Sequence, residues 1–147
     1  MKNIKTSDLR LGNWLYYTNE TKFIMQVVAI GDDWVQLDFE GNDGDSFEIN
    51  GNEICPIPIT KEFVKHIANN VQDVEELGFM ITIGGSYMEV RMEYKDNELY
   101  LIPTINCDEY NIGEPIKYVH ELQNLFYALN QKELEIRREW LWYIWWF

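Results

Sequence analysis

The chain is poor in the side chains from which active sites are usually built, with two histidines and two cysteines among 147 residues. Cys55 and Cys107 stand far apart without a CxxC spacing, which excludes a disulfide framework and gives no zinc site. A reducing, cytoplasmic compartment is expected. Basic residues are scarce too: 12 Lys and Arg against 25 Asp and Glu give a net charge of −13. Such a surface repels nucleic-acid backbones and anionic membranes, so direct nucleic-acid binding is not expected. Arg137 and Arg138 are the one adjacent basic pair, which suits a solvated helix face. The longest apolar run, Trp140 to Phe147, covers eight residues, where a bilayer-spanning helix needs about 20. Met1 to Asp8 carries positive charge with no apolar core behind it, so no secretory signal is expected. A Gly-rich phosphate cradle, an HExxH pair and a serine-nucleophile elbow are all missing.

What is present is a foldable, aromatic-rich chain. Hydrophobic residues make up 46%, and nine Tyr, seven Phe and six Trp bring the aromatic fraction to 15%. That supplies large side chains for a core or for an interface. Residues 1–58 read as an SH3-like small β-barrel or meander. Its strands are expected at Asn13–Tyr17, Lys22–Ile30, Trp34–Phe39 and Ser46–Ile49, short segments rich in β-branched and aromatic residues. Gly31-Asp32-Asp33 and Gly41-Asn42-Asp43-Gly44 supply the turns. A single capped helical turn is expected at Ser7–Arg10.

Cys55-Pro56-Ile57-Pro58-Ile59 forces an extended backbone, because each proline fixes φ and restricts the residue before it. A domain joint is placed there, and residues 59–147 form a second unit. Thr60 caps a helix starting at Lys61, which carries Phe63, Val64 and Ile67 on one face. Asn69-Asn70 interrupts it, and a further helical turn is expected from Val71 to Leu77, stopped by Gly78. Period-two alternation then predicts antiparallel strands at Phe79–Ile83, Tyr87–Tyr94 and Glu98–Pro103. A helix over residues 116–129 follows, its apolar stripe formed by Val119, Leu122, Phe126 and Leu129, with His120, Glu121, Gln123 and Asn124 off the stripe. This helix is expected to cover one face of the sheet. The fold class is therefore α+β.

Leu9-Arg10-Leu11-Gly12-Asn13-Trp14, the Ile116–Leu129 segment, and Lys132-Glu133-Leu134-Glu135-Ile136 resemble a family of short uncharacterised proteins from gut Bacteroides-type bacteria and their phages or prophages. The likeness runs through both ends and the Pro-Ile-Pro-Ile-Thr joint. It brings with it no activity, cofactor or catalytic residue. Family members often have Thr-Gly where this chain has Asn130-Gln131, and the Trp-rich tail is an addition.

Few residues invite a chemical role. His66 lies one turn after Glu62, a spacing that allows a side-chain contact but lacks a third metal ligand. His120 with Glu121 flanks the helix stripe and suits a cap, a cross-element hydrogen bond or a contact with a partner. The acidic neighbours of Cys107 would raise its thiol pKa and so disfavour a nucleophile, and Cys55 before Pro56 reads as a small buried hydrophobe. The stretch from Asp38 to Asp45 offers oxygen ligands near glycine but fits no EF-hand register. No cofactor or metal site is expected.

The tail holds four of the six tryptophans in eight consecutive positions. As a helix it would put Trp140, Tyr143, Ile144 and Phe147 on one face and Trp142, Trp145 and Trp146 elsewhere, apolar nearly all round. It either folds back over its own sheet or packs into another copy or another protein. The candidate interaction residues are Trp140, Trp142, Tyr143, Trp145, Trp146, Phe147, His120 and Glu121. The functional expectation is a non-enzymatic, phage- or mobile-element-like protein that binds a protein partner, its own copy or a host protein. The alternatives are an acidic mimic of nucleic acid that blocks a host DNA-binding or defence protein, and a weak hydrolase using His66 or His120.

Overall fold

A computed structural model describes residues 4–18, 20, 22–39, 42, 46–67, 70–72, 74–105 and 110–143, with the backbone alone for Ile105, Trp142 and Tyr143. The fold is α+β, with two antiparallel sheets and few helices. The chain divides into two units, Met1–Ile57 with Leu141–Phe147, and Pro58–Trp140.

The first unit is built on a four-stranded meander: β1 (Trp14–Tyr16), β2 (Ile24–Ile30), β3 (Trp34–Asp38) and β4 (Phe47–Asn50), hydrogen-bonded in that order. A 3-10 turn at Thr6–Asp8 precedes it, one residue earlier than the expected helical turn. The family-like Leu9–Trp14 segment has a local job. Asn13 is fully buried, and its Oδ1 accepts from the Arg10 N–H at 2.7 Å, closing a turn in which Gly12 takes a φ of 94°. That left-handed conformation favours glycine, and the Gly12 N–H then reaches the Val27 carbonyl at 2.9 Å.

Alternation puts Leu15, Met25, Val27, Val35, Leu37 and Ile49 on one face, and all are buried. Each such side chain contributes about 1.5–3 kcal/mol by leaving water. One bulge interrupts the alternation: the register shifts between Val27 and Ala29, which leaves Val28 as the extra residue, 45% exposed. The expected meander is thus present. A closed barrel is not found among the described residues.

The second unit carries a five-stranded antiparallel sheet in sequence order: β5 (Val71–Gln72), β6 (Gly78–Ile83), β7 (Ser86–Lys95), β8 (Glu98–Ile105) and β9 (Tyr110–Asn111). Val71, Phe79, Ile81, Met88, Val90, Met92, Leu99 and Leu101 share its buried face. Asp96 and Asn97, with φ of 54° and 66°, form the tight hairpin between β7 and β8. Bridges from Leu101 to Ile116 and from Pro58 to Tyr118 carry the pairing on past β9.

The helices are α1 (Lys61–Lys65), α2 (Val119–Asn130) and α3 (Arg138–Tyr143). Thr60 caps α1 as expected, its hydroxyl oxygen accepting from the Phe63 N–H, and Phe63, Val64 and Ile67 are buried. Residues 71–77 correct the sequence reading, which had a helical turn there. Val71 pairs with Ile81 and Gln72 with Met80, while the Thr82 N–H donates to the Asn70 carbonyl and the Met92 N–H to that of Leu77. Pairing with a neighbouring strand overrides the local helical pattern, and Gly78 opens β6 where a helix stop was expected.

The α2 reading also needs correction. His120 and Gln123, placed off the apolar stripe, are 2% and 1% exposed, while Leu129, placed on it, is 38% exposed. Asn130 ties the end of α2 to the β6–β7 hairpin: its Nδ2 donates to the Thr82 carbonyl and its Oδ1 accepts from the Gly84 N–H. Gln131 ends the helix in the left-handed region at φ 55°, where glycine is the usual choice.

Candidate functional site

Both imidazoles belong to local structure. His66 follows α1 as its C-cap residue, and its Nδ1 lies 2.8 Å from the Glu62 carbonyl oxygen. The next contact fixes the chain as well, since the His66 carbonyl accepts from the Arg137 N–H. His120 sits in the interior, its ring stacked on Tyr118 at 5.9 Å and 15°. Glu121, its neighbour, closes the start of α2 with a carboxylate oxygen that accepts from the N–H groups of Tyr118 and Lys117. The Glu121 contact is the cap that an acidic residue in the first helical turn commonly makes.

Cys55 is buried, and burial followed by the Glu53 carboxylate pushes its thiol pKa up. A raised pKa means less thiolate and a poor nucleophile. Cys107 lies outside the described residues, as do Glu40, Gly41, Asp43, Gly44 and Asp45 of the acidic stretch considered for calcium. Among the described residues no group of three or more His, Cys, Asp or Glu is placed to hold a metal ion, and no helix is long and apolar enough to cross a membrane.

The tail divides. Trp140 is 2% exposed and meets Phe63 edge-on, ring centroids 4.9 Å apart. It therefore belongs to the interior of the second unit. The side chains of Trp142 and Tyr143 and the whole of Ile144, Trp145, Trp146 and Phe147 lie outside the described residues.

A salt-bridged cluster lies along the second sheet. Lys117 Nζ stands 2.8 Å from Glu98 Oε2, Tyr100 donates its hydroxyl to the same oxygen at 3.2 Å, and Lys117 lies over the rings of Tyr100 and Tyr118 at 5.9 and 5.3 Å. The hydrogen bond from Lys117 holds the Glu98 carboxyl below its ordinary pKa and, reciprocally, lifts that of Lys117. Tyr100 is raised by burial first and by Glu98 second. On the same sheet an open groove of about 330 Å³ is lined by Glu75, Leu77, Met80, Glu89 and Arg91 over Gly78, Phe79 and Val90. Gly78 in its floor tolerates no side chain, since a Cβ there would stand 2.7 Å from the Val90 carbonyl oxygen.

The most distinctive surface was not singled out from sequence. The buried face of the first sheet does not stop where its strands stop. Tyr17, Phe23, Phe39 and Phe47 keep the parity of Leu15, Met25, Leu37 and Ile49, and so continue that face into solvent. Phe23, Phe39 and Phe47 are 42%, 38% and 41% exposed. Tyr17 meets Phe47 edge-on at 5.5 Å, and Phe39 stacks on Phe47 at 6.4 Å. Strands are about 4.8 Å apart, so a flat sheet would hold the first and fourth about 14 Å from each other. Contact between Tyr17, just past β1, and Phe47 of β4 means the sheet curls over this end. The result is a concave, half-exposed aromatic end.

No known protein family, curated protein or solved structure matches this chain.

Proposed function

We propose that this chain is a non-enzymatic protein-binding module, of the phage- or mobile-element-associated kind that the sequence resemblance implies, acting in the cytoplasm. The observation that carries the reading is the aromatic end of the first sheet. Phe47 meets both Tyr17 and Phe39, and Phe39 and Phe47 leave more than a third of their surface in water. Clustered exposed aromatics mark contact surfaces, because a partner that covers them gains large apolar burial at low entropic cost. An SH3-type ancestry for the first unit agrees with the curl that brings Tyr17 to Phe47. Self-association through residues of the Trp-rich tail beyond Trp140 is a further part of this proposal.

The test is capture from a bacterial lysate with the full chain and with Phe47→Ser, using Tyr127→Ser as a control at another exposed aromatic. A protein retained by the wild type and the control, and lost with Phe47→Ser, supports the reading. Identical capture by all three overturns it.

Mimicry of nucleic acid is the second reading, favoured by one observation: from Phe23 to Thr60 the sequence holds eight carboxylates and no Lys or Arg. A DNA-binding protein captured at low salt, released at high salt and indifferent to Phe47→Ser would move the function to mimicry. A hydrolase built on His66 or His120 has the least support, since His66 is held at the Glu62 carbonyl and His120 is stacked in the interior.

A further inference from the structure

The aromatic end of the first sheet adjoins an open edge. Among the described residues, β4 pairs with β3 alone. The Gly51 N–H donates to the Asp33 carbonyl, and Val35 faces Ile49 while Leu37 faces Phe47. In an antiparallel pair the N–H and C=O of one residue point the same way, and the direction alternates along the strand. Phe47 and Ile49 therefore turn their backbone groups to β3, and Glu48 and Asn50 turn theirs to the open side.

Side chains alternate as well. Phe47 lies on the face shared with Tyr17 and Phe39, and Glu48 lies on the opposite face, diagonal to Asp38 across the β3–β4 ladder. Glu48 and Asn50 are both exposed. Both lie in a stretch, Phe23 to Thr60, that holds eight carboxylates and no Lys or Arg.

We infer that the open edge of β4 receives an extended basic segment of a protein partner as an added strand. Its main chain pairs with the backbone of Glu48 and Asn50. Its apolar side chains, at every second position, rest on Phe47 and Tyr17, and the Lys or Arg side chains between them reach Glu48 and Asp38. This is strand addition, in which main-chain hydrogen bonds give affinity and alternate side chains give selectivity. The inference rests on the protein-binding reading and names the class of partner. A second copy of this chain fits the edge poorly, since pairing β4 with β4 would bring one Glu48 carboxylate against the other. Edge charges are a common defence against self-pairing, and here the same carboxylates attract a strand of opposite sign.

The experiment uses the full chain, isotope-labelled, with the capped heptapeptide Arg-Val-Arg-Val-Arg-Val-Arg. Controls replace every Arg by Glu, or methylate every backbone nitrogen to remove the N–H groups needed for pairing. At a peptide concentration of 100 times its dissociation constant, hydrogen exchange at the Glu48 and Asn50 amides should slow about 100-fold. Neither control peptide should slow it, high salt should weaken the effect, and Phe47→Ser should weaken binding about fivefold or more. Protection by the Glu peptide, binding that leaves Glu48 and Asn50 unprotected, or protection that appears on concentrating the protein alone would overturn strand addition by a basic segment. Should the peptide fail while lysate capture still depends on Phe47, protein binding stands and this mode of it is wrong. Should both fail, the protein-binding reading falls with it.

Discussion

Asn70 is the residue whose loss the second unit should feel most among its polar side chains. It is 6% exposed, and its Nδ2 donates to the carbonyls of Ile67 and Glu135 at 3.3 and 2.7 Å while its Oδ1 accepts from the Glu135 N–H at 3.3 Å. One side chain thus joins the end of α1 to the segment that leads into α3. Asn70→Ala removes both links to Glu135. At about 1 kcal/mol net for each hydrogen bond the loss is about 2 kcal/mol, or a fall in Tm of about 4–8 °C for a chain of this size. Asn70→Asp keeps the acceptor but turns the donor into an oxygen facing two carbonyl oxygens. The ionised form is therefore disfavoured in the folded state, and the pKa of the new carboxyl rises above its unfolded value of about 3.9.

The sign follows from that shift. Below the unfolded pKa the side chain is protonated in both states and can donate to a carbonyl, so the variant is close to the wild type. As pH climbs through the unfolded value the penalty opens, and it levels off above the folded value. Urea denaturation of the wild type and both variants at about pH 4 and pH 7, each compared with the wild type at the same pH, measures the effect. Asn70→Asp should be the less stable variant at the higher pH and should recover at the lower. Asn70→Ala within about 0.5 kcal/mol of wild type, or Asn70→Asp following Asn70→Ala at both pH values, would refute the reasoning.

Three further outcomes are expected. Trp140→Ala should cost about 3–5 kcal/mol, because it opens a cavity against Phe63, with Trp140→Phe losing clearly less by denaturant titration; equal stability of the three proteins would place Trp140 outside the core. The Glu98 carboxyl, followed by NMR, should titrate below the usual glutamate value of about 4.3 and move back toward it in Lys117→Met. Since the folded pKa is depressed, the stability this pair contributes is present above the unfolded value and is lost as pH falls through the folded one, so an acid limb unchanged in Lys117→Met would contradict the assignment. Gly78→Ala should destabilise by about 1–3 kcal/mol through the contact with the Val90 carbonyl, and a neutral thermal melt would show that this backbone yields freely.

The parts of the fold legible in the sequence were those set by local period and turn chemistry. The strands expected at Lys22–Ile30 and Trp34–Phe39, read from β-branched and aromatic content, and Thr60 as a cap all depend on neighbours a few residues away. The parts that were not legible depend on distant ones. Val71 to Leu77 has the composition of a helix, yet Ile81 and the Asn70 carbonyl draw its start into a strand. His120 and Gln123 look solvent-facing on a helical wheel drawn for one buried face, but the helix is covered more widely than one stripe. The aromatic end is the clearest case. Tyr17, Phe23, Phe39 and Phe47 share a face only once the register of four strands is known, because a loop of one more residue would send any of them to the other side. The Trp-rich tail drew notice by composition, and composition could not show that Trp140 packs in the core.

Protein contact at the aromatic end of the first sheet is most directly tested by a photoreactive phenylalanine analogue placed at position 47 of the full chain, irradiated in cells and compared with the same analogue at position 127. A discrete protein adduct formed from position 47 and missing from position 127 is the predicted result. Absence of any adduct at position 47, or the same adducts from both positions, would contradict it.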